Sequence, residues 1–204
     1  MLEASDLEFE RGGRTLFSGL GLALRGGELL RVAGANGSGK TTLLKVLCGL
    51  LAPDGGEVRW QGTPIRQLRE EYSRNLVYLG HAPAVKDDLT AAENLAIAAT
   101  LGGLTAAPQA VQEALAAYGL ADGAIPVRQL SQGQRRRAAL ARLLLAGEAP
   151  LWLLDEPFTA LDVDAARFTG ELIAQHAARG GAAVFTTHQP SGLDAAVARV
   201  IELG

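Results

Sequence analysis

A glycine-rich stretch, GANGSGKT at residues 34–41, has the residue types and spacing needed to hold a phosphate group. Glycines allow the backbone to curl, so that successive N–H groups point at one anion. Lys40 adds a positive charge for the terminal phosphates, and the Thr41 hydroxyl is placed to bind Mg²⁺. The stretch lies between a predicted strand and a predicted helix, which disfavours the alternative of a chance glycine loop. The predicted nucleotide-binding residues are Gly34, Ala35, Asn36, Gly37, Ser38, Gly39, Lys40, Thr41 and Thr42.

Two acidic residues, Asp155 and Glu156, directly follow the four apolar residues LWLL. A buried strand that ends in an acid holds it at the C-terminal edge of the sheet, where open α/β sheets bind ligands. We expect Asp155 to hold Mg²⁺ through water, and Glu156 to orient or deprotonate an attacking water. The alternative is a pair of acids that only cap a surface turn, and the phosphate loop upstream argues against it.

A second stretch suited to an anion is LSQGQ at residues 130–134, which leads into an arginine-rich helix. The free N–H groups at the start of a helix favour negative charge, so this segment also suits a phosphate. The residues alone do not say which phosphate it would receive. For the arginines at 135–137 we expect a solvated helix face, at least for two of the three.

Length and composition indicate one globular domain with a substantial core, because 48% of the 204 residues are hydrophobic and 20% are charged. The formal net charge of −3 gives no electrostatic reason to expect a nucleic-acid partner. Cys48 is the single cysteine, which excludes a disulfide within the chain and fits a reducing compartment.

No targeting or membrane-spanning segment is expected. The N-terminal MLEASDLEFE is acidic and alternating, unlike a secretory signal peptide. The stretch between Glu93 and Glu113 lacks charge, but Gly102, Gly103 and Pro108 interrupt it. A spanning helix needs roughly 20 mostly apolar residues without such breaks. We therefore expect two short helices joined at the glycine pair, and no direct membrane insertion.

Strands that alternate with helices predict a parallel sheet covered on both faces. An Ala- and Leu-rich block at about 84–146 predicts an inserted helical lobe, and about 1–83 and 147–204 would form the core lobe of one domain. The predicted strands are 2–10, 20–24, 28–34, 75–80, 151–155, 182–187 and 199–203, with a further turn and strand in PDGGEVRW. The predicted helices include about 41–48, 67–73 and 162–179.

With these motifs in this order, the chain resembles the nucleotide-binding subunit of ATP-binding-cassette (ABC) proteins over nearly all of its length. LSQGQ matches the family signature LSGGQ, with Gln132 in place of a glycine. The resemblance implies an α/β fold of the ABC-type P-loop NTPases: a mostly parallel core sheet, a small antiparallel β subdomain and an inserted helical lobe. Family members pair head to tail, so the signature would receive the γ-phosphate of ATP bound to a second copy. The signature residues are Ser131, Gln132, Gly133 and Gln134.

Further roles follow from the same resemblance. TALD at residues 159–162 is similar to the loop that passes between the two sites, with Asp162 as its dimer-loop residue. His188 is similar to the switch histidine that contacts the γ-phosphate. Lys40, Glu156 and His188 would then be the catalytic residues. His176 we expect to be a surface residue in the middle of a helix.

Two positions depart from the family pattern. His81 occupies the place of a glutamine that senses Mg²⁺ and the partner subunit, and its charge could vary near neutral pH. Arg11 occupies the place of an aromatic residue that stacks on adenine, with Phe9 two residues away. A guanidinium can stack on a purine, so nucleotide binding is still expected, with looser base selectivity.

Within the family, strings such as RTLFSGL, EVRWQG, LWLLDEPFTALDVD and TTHQP resemble the haem exporter ATP-binding subunit of the cytochrome c maturation system. That resemblance implies ATP and Mg²⁺ as cofactors and integral membrane subunits as partners. It also implies a peripheral position on the cytoplasmic face of the bacterial inner membrane, where ATP use drives release of a haem-loaded periplasmic chaperone. The loop at 83–88 would couple the chain to the membrane subunits, or be an ordinary surface loop.

Three alternatives remain open from the sequence. The chain could serve another ABC exporter with unrelated cargo, since cargo is recognised mainly by the membrane subunits. It could be a soluble ABC ATPase, although no long coiled-coil insertion or second cassette fits in 204 residues. It could also be a non-catalytic regulator, against which Lys40, Asp155, Glu156 and His188 argue.

Overall fold

Two β-sheets and a set of helices make up the fold. The computed structural model describes residues 1–146, 149–189, 192–193 and 196–204. The strands are β1 (Leu2–Arg11), β2 (Arg14–Leu24), β3 (Leu29–Gly34), β4 (Gly55–Trp60), β5 (Thr63–Pro64), β6 (Leu76–Leu79), β7 (Leu151–Leu154), β8 (Ala182–Thr186) and β9 (Val197–Leu203). The helices are α1 (Lys40–Leu47), α2 (Ile65–Leu68), α3 (Glu70–Arg74), α4 (Ala91–Leu101), α5 (Pro108–Ala117), α6 (Gln132–Leu140), α7 (Arg142–Leu145) and α8 (Val163–Ala178).

The larger sheet has five strands in the order β6-β7-β8-β3-β9, and each recorded pairing in it is parallel. Every residue of β7 and β8 is buried, which explains why these strands are continuous apolar runs rather than alternating ones. Trp152 and Leu154 pack with the helices α4–α6 and α8, whereas Leu151 and Leu153 pack with α1 and the smaller sheet. The predicted sheet, covered on both faces, is confirmed.

The smaller sheet is antiparallel, in the order β2-β1-β4-β5. Arg11 pairs with Arg14 across a two-residue turn formed by Gly12 and Gly13, both in the left-handed region, so β1 and β2 form a tight hairpin. The predicted second strand at 20–24 was therefore too short at its start, because Thr15 and the residues after it already pair with β1.

The helical segment expected at 67–73 is two short helices, because Arg69 between them has φ 41° and breaks the helical path. By contrast, α4 ends at Leu101, directly before the glycine pair, and α5 begins at Pro108, which confirms the two helices predicted there. In the described part of the chain, no helix is long and apolar enough to cross a membrane.

The helices α4–α7 lie in the chain between β6 and β7, as an insertion into the parallel sheet. The division into a core lobe and a helical lobe stays a prediction. Its second boundary falls at residues 147–148, outside the described residues.

His176 is buried, so its expected place on the surface was wrong. Its side chain lies on the face of α8 that packs on the sheet, where its ring stacks on Trp152 with centroids 3.9 Å apart. Burial, with a smaller contribution from Arg179, lowers the pKa of His176 to about 4. The imidazole is therefore a neutral part of the core at neutral pH.

Candidate nucleotide site

The glycine-rich loop connects the end of β3 to the start of α1. Gly34 has φ 136°, and a Cβ atom there would overlap the main-chain carbonyl of Leu203 and crowd the Ser38 hydroxyl. Gly39, the residue before α1, has φ 103°. These two positions demand glycine, since side chains are disfavoured in that conformation.

Lys40 lies inside this loop, with only 8% of the residue exposed. Its Nζ donates hydrogen bonds to the carbonyl oxygens of Gly34, at 2.8 Å, and Ala35, at 2.9 Å. An ammonium group carries three N–H donors, so one remains for an anion in the loop.

Thr41 and Asp155 bring the two predicted halves of the site together. The Thr41 hydroxyl donates to Asp155 Oδ2 at 2.7 Å, which joins the start of α1 to the end of β7. Adjacent hydroxyl and carboxylate oxygens are ligands that suit Mg²⁺, which in nucleotide sites takes few protein ligands together with phosphate oxygens and water. No cluster of three or more His, Cys, Asp or Glu side chains suited to a metal occurs among the described residues.

Glu156 is held by its main chain in an unusual conformation. Its φ is 51°, and its N–H donates to the Thr186 hydroxyl at 2.8 Å. The same hydroxyl donates to Asp155 Oδ1 at 2.9 Å. Thr186 thus fixes both acids from the end of β8. Sequence reasoning missed it, although its position at a parallel strand end beside that of Asp155 is a usable signal.

The Glu156 carboxylate faces His188. Its Oε1 is buried and accepts no hydrogen bond within the described part of the chain. His188 lies beside it, with Nε2 3.4 Å from Oε1 and a side chain that is about half exposed (47%). The structure therefore brings the predicted base and the predicted switch histidine side by side.

These groups open into a cleft of about 570 Å³. Gly34, Ala35 and Ser38 belong to the loop but do not line the cleft, whereas Arg11 and His81 are exposed residues that do. Pro190 of the TTHQP string lies outside the described residues. The lining residues are Arg11, Leu16, Asn36, Gly37, Gly39, Lys40, Thr41, Thr42, His81, Asp155, Glu156, Thr159, His188 and Gln189.

Leu16 is a lining residue that sequence reasoning did not identify. It contacts the loop so closely that a Cβ atom on Gly39 would lie 3.1 Å from the Leu16 Cβ. Nothing in the sequence separates it from the other apolar residues of β2, so no signal was available.

The signature residues lie elsewhere, since none of the four lines the cleft. Ser131 caps α6: its hydroxyl accepts from Gln134 N–H, and Gln134 Oε1 accepts from Ser131 N–H at 2.8 Å. Ser131 and Gln132 are exposed. A Cβ on Gly133 would lie 2.8 Å from the Ala160 carbonyl oxygen, so the signature packs on the predicted dimer loop.

Asp162 has a local role in that loop. Its Oδ1 accepts a hydrogen bond from Ala165 N–H at 2.8 Å, which caps the N-terminus of α8. The side chain is 61% exposed, so it is accessible from outside the chain.

The expected solvated arginine face on α6 was wrong for Arg136, which is only 3% exposed. The side chains of Arg135 and Arg137 are partly exposed, at 30% and 23%, and lie 2.9 Å from Asp87 and 3.8 Å from Asp162. The error arose because these arginines contact the ends of strands and two neighbouring loops. The helical periodicity of the sequence does not reveal such contacts.

Comparisons with known proteins agree on one family. The profile of the ABC transporter family matches residues 17–159. The cytochrome c biogenesis ATP-binding export protein CcmA of Escherichia coli (strain K12) is 50% identical over 204 residues, covering 100% of this chain and 96% of that protein. The protein of the same description from Aromatoleum aromaticum is 51% identical over 190 residues, covering 93% and 89%.

A solved structure supports the fold independently. It is a dimeric ATP-binding cassette in a post-hydrolysis state, bound to ADP and phosphate, with a TM-score of 0.85 and 24% sequence identity. The match covers 100% of this chain and 94% of that one.

Proposed function

We propose that this chain binds and hydrolyses ATP to drive a membrane transporter, because it belongs to the ABC transporter family and, within it, to the cytochrome c biogenesis ATP-binding export proteins. The observation that carries the proposal is the 2.7 Å hydrogen bond from Thr41 to Asp155. It joins the glycine-rich loop to a pair of buried acids at one cleft, which supports a site for a nucleotide and its metal ion. A non-catalytic cassette would not need an intact acid beside an intact loop.

The loop would hold the phosphates of ATP. Its main-chain N–H groups and the positive end of α1 attract anions, and Lys40 offers its remaining donor. Each charge-assisted hydrogen bond contributes roughly 1.5–3 kcal/mol. Mg²⁺, held by Thr41 and Asp155 together with phosphate oxygens, would neutralise negative charge on the transferred group.

Glu156 would act on the attacking water. The buried Oε1, which accepts no hydrogen bond from the described residues, can accept a proton from water while that water's oxygen bonds to the γ-phosphorus. The bond from the γ-phosphorus to the ADP oxygen then breaks, which leaves ADP and inorganic phosphate. His188, 3.4 Å from Glu156, would hydrogen-bond the γ-phosphate and keep the carboxylate aimed at the water.

A second copy of the chain would complete the site. Ser131 caps the N-terminus of α6, is exposed, and does not line the cleft of its own chain. In a head-to-tail pair, the start of α6 would face the γ-phosphate of ATP on the other copy. The dimeric cassette with the same fold supports this arrangement.

The transport role would be in the biogenesis of c-type cytochromes, as the names of the relatives indicate. Integral membrane subunits would hold the chain at the cytoplasmic face of the bacterial inner membrane, and ATP use would release a haem-loaded periplasmic chaperone. The segment at 83–88 would carry the coupling. Asp87 in this segment pairs with Arg135 on α6, so its movement would reach the signature.

Replacement of the chromosomal copy by Glu156→Gln in the host tests this role. A tagged variant should still copurify with integral membrane subunits, while haem staining for c-type cytochromes should be lost. Unchanged staining with an ATPase that is inactive would exclude the cytochrome role and favour an exporter of unrelated cargo. Copurification with no membrane protein would favour the soluble ABC class.

A further inference from the structure

Arg136 is a buried cation that the proposed chemistry does not use. Its two terminal nitrogens donate to four main-chain carbonyl oxygens: Gly80 at 3.0 Å, His81 at 3.2 Å, Asp155 at 2.9 Å and Glu156 at 2.6 Å. These carbonyls follow the ends of β6 and β7, two neighbouring strands of the parallel sheet. One guanidinium therefore ties the chain segments after both strands together.

The conformation of Glu156 depends on these contacts. Its φ of 51° is in the left-handed region, which costs of order 1–3 kcal/mol for a residue other than glycine. Thr186 holds the N–H of Glu156 and Arg136 holds its carbonyl. The two hydrogen bonds fix the peptide groups on both sides of Glu156, so they define where its carboxylate points.

The same arginine links these strand ends to the signature. Arg136 lies five residues after Ser131 on α6, a rise of roughly 7 Å along the helix. A shift of the start of α6 would therefore move the guanidinium, and with it the carbonyls of His81 and Glu156. An ammonium could not replace it, because a lysine has three donors on one atom and lacks the planar fork.

We propose that Arg136 is a positioning residue, which sets the aim of the Glu156 carboxylate and ties it to the position of α6. The proposal rests on the proposed ATP hydrolysis. In a head-to-tail pair, the Glu156 of a chain belongs to one site and the signature of that chain belongs to the other site. Arg136 makes the aim of Glu156 in the first site depend on whether the signature contacts ATP in the second.

The test compares Arg136→Lys and Arg136→Met with the parent in the full chain. Both variants should bind ATP with a Kd within about twofold of the parent, since the phosphate loop is untouched. We expect kcat to fall by about tenfold to a hundredfold, the loss typical of a misplaced catalytic group. Rates that stay within twofold of the parent in a variant that binds ATP would overturn the proposal.

Arg142→Lys is the matched control. Arg142 lies on the following helix, and burial lowers its pKa as it lowers that of Arg136. It donates to the carbonyl oxygen of Tyr78, a residue of β6 that does not line the cleft. It should leave kcat within about twofold of the parent. An equal loss of kcat in this control would show that replacing any buried arginine of α6 or α7 slows hydrolysis, and would also overturn the proposal.

A double variant separates positioning from general support of the fold. If Arg136 acts through Glu156, adding Arg136→Met to Glu156→Gln should lower the residual single-turnover rate by no more than about twofold. A further tenfold loss would contradict the proposal. So would failure of both Arg136 variants to bind ATP. Hydrolysis by Glu156→Gln at the parent rate would also contradict it, because Arg136 would then have no base to aim. A parent chain that binds ATP but does not hydrolyse it would instead refute the proposed function, whatever Arg136 does.

Discussion

Two adjacent carboxylates in the cleft have different surroundings. Both oxygens of Asp155 accept hydrogen bonds, from the hydroxyls of Thr41 and Thr186. Glu156 Oε1 accepts none within the described residues and faces His188. Asp155 is therefore suited to stay fixed as a ligand, and Glu156 to exchange a proton with water.

Glu156→Gln should remove hydrolysis and keep ATP binding. The amide has the same size but is not a base, so we expect kcat to fall by roughly 10²–10⁴-fold. The Kd for ATP should change by less than about threefold, whereas Lys40→Ala should weaken binding strongly. Nucleotide titration and phosphate release measure the two quantities. Parent-like kcat in the glutamine variant would remove Glu156 from the mechanism.

Thr186→Val should weaken both the site and the fold. The isosteric side chain leaves the Glu156 N–H and Asp155 Oδ1 without their hydroxyl partner in a buried position, which costs roughly 1–3 kcal/mol of stability. We also expect kcat to fall by about tenfold or more. Thr186→Ser keeps the hydroxyl and is the control for both denaturant unfolding and ATPase rate. Equal behaviour of the two variants would mean that the hydroxyl is not needed.

Motifs predicted part of this site and missed another part for a physical reason. Residues 34–42 and Asp155 could be placed because a local pattern specifies both the chemistry and the flanking elements. Thr186 and Arg136 act through contacts made across the sheet, and no local pattern specifies such contacts. The stated roles of the site residues remain predictions until they are tested.

The helix α8 covers the sheet through a polar residue as well as apolar ones. His176 stacks on Trp152 of β7, and the nearly parallel rings (4°) exclude water from that contact. Because the pKa of His176 is lowered by burial to about 4, against an ordinary value of 6.5, folding favours the neutral ring. The contact is therefore stabilising at neutral pH and weakens on acidification.

Acid should destabilise the parent more than a His176→Gln variant. The unfolded chain takes up a proton at His176 near pH 6.5 and the folded chain only near pH 4, so stability is lost as pH falls between these values. The difference corresponds to at most about 3 kcal/mol. Urea unfolding at pH 7.5, 5.5 and 4.5 would measure it. Parallel curves for the two proteins would contradict the burial of a neutral imidazole.

Elements were predictable where one apolar run decides the outcome. β7 and β8 are fully buried, so their continuous apolar sequences are enough to predict two strands inside the sheet. The start of β2 and the break at Arg69 depend on pairing and backbone conformation, which the sequence pattern does not record. His176 was misplaced because alanines flank it in the sequence, while the contact with Trp152 lies across the helix–sheet interface.

The molecule as a whole presents its phosphate loop and its signature at separate places. The cleft contains the loop and the acids, and the exposed start of α6 is not part of it. Under the proposed function, one chain would hold two half-sites, which would explain why it carries two segments suited to a phosphate. A complete site would then need two copies of the chain.

Ser131→Asp should abolish ATPase activity without unfolding α6. Aspartate caps a helix as well as serine does, but its carboxylate would repel the γ-phosphate of ATP on the other copy. Ser131→Asn, which caps equally and is neutral, is the control and should retain at least about a third of the parent rate. Equal rates in the two variants would place Ser131 away from the nucleotide.

Mixing two inactive variants tests the shared site most directly. Lys40→Ala lacks a working phosphate loop and Ser131→Asp lacks a working signature, so each should be inactive alone. In an equimolar mixture, half of the random pairs are mixed and each has one complete site of two, which predicts recovery of roughly a quarter of the parent ATPase rate. A mixture no more active than its separate components would contradict the account.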